Sequence, residues 1–346
     1  MHRVTIADVA ARAGVSTATV SRVLSGRGPV SDAMGRRVRS AAEDLGYQVN
    51  TIARALRDGR TGTVGMVVPS ITNPFFTSLV ESVEHVLGQE GKELFLCDAR
   101  SDAEIEARRL ASLVARNVDG IIVSPSHGTE SGRAVQETAD RLPLVQLDRF
   151  VGGTETDWVG VDDIAAMRQV IDHLHAGGAR SAAFVGSRLT NSSTEQRLSG
   201  FRRRAADTGM TVRDEWILLD DYTVEWGEDA VAQLATGAAF PDAIVCADDL
   251  IALGVTRACR AHGISVPAEV QVTGFDNIQF ARLGEPALTT VDQPTDQIAA
   301  EAVRLLGAVG GTSRAHIALV PKLVVRDSTR GGDSAPKGDS APGGER

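Results

Sequence analysis

From Thr63 to about Gly274 the chain repeats one pattern: a short apolar run, an amphipathic stretch, then another apolar run. Nine runs fit strands, at 64–69, 94–97, 120–124, 144–147, 159–161, 182–186, 217–220, 243–246 and 270–274, with helical stretches between most of them. That rhythm narrows the fold sharply. Strand–helix–strand connections set neighbouring strands parallel and cover both faces of the sheet with helices. Nine strands are too many for one small open sheet, so two similar subdomains are expected. Ligands of such sheets sit at the carboxyl ends of the strands, here in the cleft between the two halves.

The length of 346 residues agrees with more than one compact unit. No apolar run approaches the roughly 20 residues of a membrane span. The opening MHRVTIADVAARAG has no apolar core followed by a small-residue cleavage site, so no secretory signal is expected. Cys97, Cys246 and Cys259 are few, odd in number and set in apolar runs, which reads as buried reduced thiols. No Cys/His cluster has metal-ligand spacing, so neither a metal nor another cofactor is expected. Together these features point to the cytoplasm. The net charge of −9 conceals an asymmetry. Residues 1–60 hold ten Arg, no Lys and five Asp or Glu, a formal +5, while 26 basic and 40 acidic residues give the remainder −14. A basic front on an acidic body is expected if only the front meets phosphate.

That front reads as helices. Thr5 is a good N-cap, with Asp8 three residues on as the capping-box acid. Ile6, Val9, Ala10 and Ala13 share one helical face. Gly14 supplies a turn that needs positive φ. Ser16 caps a second helix over 17–24, whose apolar face is Val20, Val23 and Leu24 and whose other face offers Thr17, Ala18, Ser21 and Arg22. A third helix is expected from a cap at Ser31 to about Leu45, with Val38, Ala41, Ala42 and Leu45 inward and Arg36, Arg37 and Arg39 largely outward. Two short helices across a Gly turn form a helix-turn-helix, whose second helix enters the major groove.

The segment TIADVAARAGVSTATVSRVLSG resembles the DNA-binding signature of the lactose-repressor/galactose-repressor (LacI–GalR type) family of transcriptional regulators. VNTIARALRDGRTGTVGMVVP resembles that family's hinge and its entry into the ligand domain, and the similarity continues to about residue 328. The resemblance implies base reading by Thr17, Ala18 and Arg22, with Ser16, Thr19, Ser21, Ser31, Tyr47 and Asn50 at phosphate-contacting or supporting positions and Thr5 at the head of the reader. The chemistry agrees. Arg can donate two hydrogen bonds to guanine O6 and N7, and Ala18 and the Thr17 methyl can touch thymine methyls. Such small side chains shift weight onto Arg22 and onto DNA shape.

The stretch 50–58 is too short for a stable isolated helix. It is expected to be frayed alone and to fold on the operator, capped by Asn50 or Thr51. By the resemblance, two copies pair through Ile52, Ala53 and Ala55, and Leu56 wedges between central base pairs in the minor groove.

The cleft has candidate residues wherever a strand ends. The resemblance implies effector contacts by Ser70, Asn73, Phe75, Asp148, Asn191, Ser193, Arg197, Tyr222, Asp248 and Asp276. Aromatic faces mixed with carboxylates, an amide and an Arg suit a sugar, whose CH faces stack and whose hydroxyls hydrogen-bond. A nucleobase could also stack on Phe75 and Tyr222, so a purine- or nucleoside-responsive regulator is the alternative. Arg149 follows Asp148 in the same strand-end cluster. Asp249 reads as a helix N-cap and Phe76 as core.

The expected fold is thus α+β and multidomain. A three-helix helix-turn-helix domain over 1–48 and a hinge helix over 49–60 precede a body over 61–328. The body resembles periplasmic binding proteins, with two Rossmann-like parallel-sheet subdomains, one of about 61–162 and 292–322, the other of about 163–291 and 323–328. The Gly/Pro/Ser-rich stretch 329–346 is expected to be disordered and has no leucine heptad for a tetramer. The expected function is a repressor that binds a pseudo-palindromic operator as a homodimer, under control of a small-molecule effector and without a membrane partner. A sugar-transport module would suit the body but not the front. An enzyme is disfavoured because phosphate-loop and catalytic-triad patterns are missing.

Overall fold

The computed structural model describes residues 4–25, 30–47, 60–308 and 314–331. Two compact units divide between Thr61 and Gly62.

The first unit holds α1 (Ile6–Ala13), α2 (Thr17–Ser25) and α3 (Asp32–Asp44). The capping box at its head is formed: the Thr5 N–H donates to Asp8 Oδ2 at 2.8 Å, and the Asp8 N–H donates to Thr5 Oγ1. Gly14 ends α1 with φ 62°, and its N–H reaches the carbonyls of Ala10 and Ala11. Ser16 Oγ accepts from the Thr19 N–H at 3.2 Å and starts α2. Ser31 sits at the head of α3 but makes no side-chain cap bond. Val9, Ala10, Ala13, Val20, Val38, Ala41 and Ala42 form the buried core. Arg36, Arg37 and Arg39 are exposed as expected, and Arg37 also donates to the Ala13 carbonyl at 2.5 Å, tying α3 to the end of α1.

The second unit contains two six-stranded sheets. The first runs in the order β11-β5-β4-β3-β1-β2, with β1 (Thr63–Val68), β2 (Glu93–Asp98), β3 (Gly120–Val123), β4 (Leu144–Leu147), β5 (Asp157–Val161) and β11 (His316–Leu319). The second runs β12-β10-β9-β8-β6-β7, with β6 (Ala182–Ser187), β7 (Ile217–Asp220), β8 (Ala243–Cys246), β9 (Gln271–Asp276), β10 (Thr289–Asp292) and β12 (Lys322–Val324). All pairings are parallel except β10 with β12. The described helices of this unit are α4 (Pro74–Gln89), α5 (Ala103–Ala115), α6 (Gly132–Ala139), α7 (Asp163–Ala176), α8 (Ser192–Thr208), α9 (Val224–Ala235), α10 (Asp249–Ala261) and α11 (Thr295–Gly307). Both sheets are thus laid down by the same strand–helix repeat, and position for position their orders correspond.

All nine expected strands are present, within two residues at each end. Three further strands, β10, β11 and β12, were not expected. They arise where the chain crosses between sheets. After β10 in the second sheet, α11 packs on α4 and across β3, β4 and β5 of the first. β11 then joins the first sheet beside β5, and β12 returns to the second beside β10. The packed chain also runs past 328. Thr329 Oγ1 bonds His173 Nε2 at 2.7 Å, and the Arg330 N–H donates to Gln271 Oε1 at 2.9 Å, so the expected start of a disordered tail at 329 is too early. Residues 332–346 lie outside the described residues.

Candidate ligand cleft and nucleic-acid interface

The carboxyl ends of the strands meet in one narrow cleft that is partly open to solvent. Each strand end delivers its own residues. After β1, Asn73 caps α4 by accepting from the Phe75 N–H at 3.0 Å, and Asn73, Phe75 and Phe76 line one wall. After β4 come Asp148 and Arg149, after β6 Ser193 and Arg197 from α8, after β7 Tyr222, after β8 Asp248, and at the end of β9 Asp276.

Asp148 and Asp276 hold matching places, since β4 and β9 are each third from the same edge of their sheets. Both adopt left-handed backbone, with φ 62° and 101°. That conformation is uncommon outside Gly, with Asn and Asp favoured among the exceptions. Two cleft carboxylates, one from each sheet, thus share this uncommon backbone conformation.

Arg197 is buried and held from several sides. Its Nε–H donates to Asp163 Oδ1 at 2.7 Å, Nη1 donates to the Ala247 carbonyl at 2.6 Å, and Asp276 Oδ1 lies 3.9 Å away. Its guanidinium lies 3.5 Å from the centroid of the Phe275 ring. Burial works against its charge, but Asp163 and Asp276 outweigh burial and strengthen its hold on the proton. Arg149 stands between two rings, 5.5 Å from the centroid of Phe76 and 5.4 Å from that of Tyr222, with Asp148 Oδ2 at 3.8 Å from its Nε. Burial raises Asp148 and, strongly, Asp276, against the pull of the nearby guanidiniums, and it pushes Asp248 to about 6. Tyr222 is fixed by a 2.6 Å bond between its hydroxyl and Thr194 Oγ1.

Of the ten expected effector residues, eight line this cleft. The other two serve local structure. Ser70 bonds Thr72 Oγ1 at 2.8 Å in a tight turn, and Asn191 caps α8 by accepting from the Thr194 N–H at 3.0 Å. Two lining residues fall outside the expected set. Arg149 was visible only as the neighbour of Asp148. Phe76, expected as core, is 3% exposed yet also forms part of the wall. The expected cap role of Asp249 belongs to Asp248, whose Oδ1 accepts from the Ile251 N–H at 2.8 Å. Asp249 is instead fully buried behind the cleft, where it accepts from Thr290 Oγ1 at 2.6 Å and the Ile278 N–H at 2.8 Å.

In the first unit, α2 presents Thr17, Ala18 and Arg22 to solvent on one side, while Val20 is buried on the other. Ser16 is exposed, and Thr19 and Ser21 are half-buried beside it. Ser31 is exposed, and Tyr47 is half-buried against the three-helix core. The hydroxyl of Thr5 bonds Asp8 Oδ2 at 2.8 Å. Asn50, Ala53 and Leu56 lie outside the described residues.

Residues 5–50 match the family described as bacterial regulatory proteins, lacI family, and residues 171–329 match the periplasmic binding protein-like domain. The chain is 30% identical over 333 residues to the HTH-type transcriptional repressor PurR of Pasteurella multocida, a match covering 94% of this chain and 98% of that protein. The structure of the Lac repressor dimer bound to operator and the anti-inducer ONPF superposes with a TM-score of 0.85 at 25% identity, over 94% of this chain and 99% of that one. The transcriptional regulator CelR–cellobiose complex superposes with a TM-score of 0.70 at 32% identity, over 94% and 100%. The helix-turn-helix front, the paired parallel sheets and these likenesses agree: the chain belongs to the lacI family of bacterial regulatory proteins, DNA-binding repressors of transcription.

Proposed function

We propose that the chain binds a pseudo-palindromic operator as a homodimer in the cytoplasm, and that a sugar or sugar derivative in the cleft sets its operator affinity. Residues 1–48 form the reader, 49–60 the hinge and 61–331 the ligand-binding and dimerising body. One observation carries the ligand assignment. The cleft sets aromatic rings among three buried carboxylates and two guanidiniums, a wall suited to CH faces and hydroxyls together. The relative solved with cellobiose supports a carbohydrate, and the Lac repressor dimer on its operator supports the assembly. Of the two rings on which a purine base could stack, Phe75 and Tyr222, Arg149 already stands over Tyr222.

The gating follows from the position of the cleft. Its walls come from both sheets, so a bound ligand favours one closure of the two lobes. A ligand can shift the DNA-binding equilibrium only by its difference in affinity for the two closures, typically ~1–3 kcal/mol. The test selects DNA from a random pool with the full chain, then measures binding of that DNA with sugars and purine bases added. A two-fold consensus and a response to sugars are expected. A response to purine bases alone overturns the sugar assignment, and an asymmetric consensus overturns the dimer.

A further inference from the structure

The charges in the cleft do not balance. Arg149 faces Asp148, and Arg197 is engaged by Asp163 from behind the wall and by Asp276 at longer range. Asp276 also accepts from Gln293 Nε2 at 2.7 Å. That leaves Asp248. It is 2% exposed, its Oδ1 is used in capping α10, and its Oδ2 is buried with no hydrogen-bond partner among the described residues. The charged groups nearest in influence are Arg197, which is hydrogen-bonded to Asp163, and Arg149, whose Nε lies 3.8 Å from Asp148 and has no hydrogen-bond partner among the described residues. Ser193 Oγ, on the same cleft wall, is likewise buried and without a partner. Three cleft carboxylates, Asp148, Asp248 and Asp276, with Asp163 behind the wall, thus stand against two guanidiniums, and burial favours the neutral form of Asp276 most strongly.

A buried carboxylate without a counter-charge is costly, and a cation seated on it removes much of that cost. An ammonium group fits this wall because it carries charge and donates up to three hydrogen bonds, while Asp248 Oδ2 and Ser193 Oγ offer acceptors. The same excess of negative charge opposes a phosphate or carboxylate on the ligand.

We infer that the ligand of this cleft carries a protonated nitrogen, as an amino sugar does, and that Asp248 is the residue that selects it. This rests on the sugar reading of the cleft and narrows it. The test titrates purified full chain calorimetrically with matched pairs: glucosamine against glucose, galactosamine against galactose, mannosamine against mannose. Glucose 6-phosphate serves as the anionic member and adenine as the purine. The same titrations are run on Asp248→Asn, which keeps a good helix cap and removes the charge. At least one amine is expected to bind tenfold or more tighter than its neutral partner, with glucose 6-phosphate weakest, and Asp248→Asn is expected to erase the preference. Amines that bind no tighter than their partners, including no binding by either, overturn the inference, as does a preference that survives Asp248→Asn. Neutral sugars that bind as well as amines leave the sugar reading standing while this inference falls. Adenine binding without any sugar binding removes the sugar reading itself.

Discussion

Arg197 donates from Nε to Asp163 Oδ1 at 2.7 Å, with only 4% and 5% of the two side chains exposed. The pair joins the middle of the cleft wall to the first turn of α7. Arg197→Ala would leave Asp163 and Asp276 buried without their counter-charge and the Ala247 carbonyl without its donor. Breaking one side of such a pair costs ~3–5 kcal/mol. The expected outcome is a clear drop in the thermal midpoint of the ligand-binding unit. Arg197→Lys is expected to rescue it only in part, because a single ammonium cannot replace the guanidinium fork. An unchanged midpoint in Arg197→Ala would show that the pair does not hold the wall.

Burial pushes Asp249 up to about 8, with Thr290 and the Ile278 N–H opposing and Asp248 adding, and it pushes Asp163 and Asp248 to about 6. All three lie above their ordinary value of 3.8, so the folded state holds these protons more tightly than the unfolded state. Stability contributed this way is greatest at low pH and declines as pH rises from about 4 through about 8. Asp249→Asn cannot ionise, keeps an oxygen for the Ile278 N–H and turns an amide toward Thr290. The thermal midpoint of this variant, followed from pH 5 to pH 9, is expected to vary less than that of the parent and to exceed it near pH 9. A parent whose midpoint climbs steadily from pH 6 to pH 9 contradicts the assignment.

Helices α9 and α10 touch through glycine. A Cβ at Gly254 would stand 1.9 Å from the Val224 carbonyl oxygen, and one at Gly227 would stand 2.1 Å from that of Ile251. Backbone, not a flexible side chain, fills that space. Gly254→Ala must push the helices apart, a strain of ~1–3 kcal/mol or more. Denaturant unfolding is expected to register that loss, whereas Gly88→Ala in α4, where nothing lies within 4 Å, should hold or gain stability. Equal behaviour of the two variants would deny the close approach.

In the first unit, Thr5→Ala removes a formed capping box, and such a loss costs ~1 kcal/mol. Circular dichroism melting of the isolated segment is not needed; selected operator DNA reads the effect on the full chain as weaker binding to all sequences alike. Arg22→Ala is expected to act differently. It should lose ~1–3 kcal/mol of discrimination at one base pair while retaining binding to phosphate. Equal loss on every sequence would move Arg22 from base reading to phosphate contact.

Much of this was readable from residues, for physical reasons that differ by element. Thr5, Asp8 and Gly14 act within four residues of themselves, so their sequence spacing already states the bonds they make. The nine long-pattern strands carry their own apolar runs. β11 and β12 do not: the run ALVPKLVV reads as one segment, but Pro321 breaks it and its halves pair with strands of different sheets, β5 and β10. Asp248, not Asp249, caps the helix because either can do so, and only tertiary packing of Asp249 against Thr290 and Ile278 decides between them. Ser70 and Asn191, expected at the cleft, make a local turn bond and a helix-cap bond and do not line the cleft. Arg149 had no periodic signal; its place between Phe76 and Tyr222 depends on residues 73 positions apart on either side of it.

The most direct measurement is the affinity of the full chain for its selected operator, taken with and without the best-binding sugar of the cleft, in the parent and in Asp148→Asn. Asp148 lies in the cleft and not in the reader. The account predicts that the sugar changes operator affinity of the parent about 5- to 150-fold, the usual range of such coupling. It predicts that Asp148→Asn binds the operator as the parent does when no sugar is present and responds only at much higher sugar concentrations. An operator affinity that no cleft ligand alters in the parent, or an undiminished response in Asp148→Asn, would contradict the claim that this cleft governs the reader.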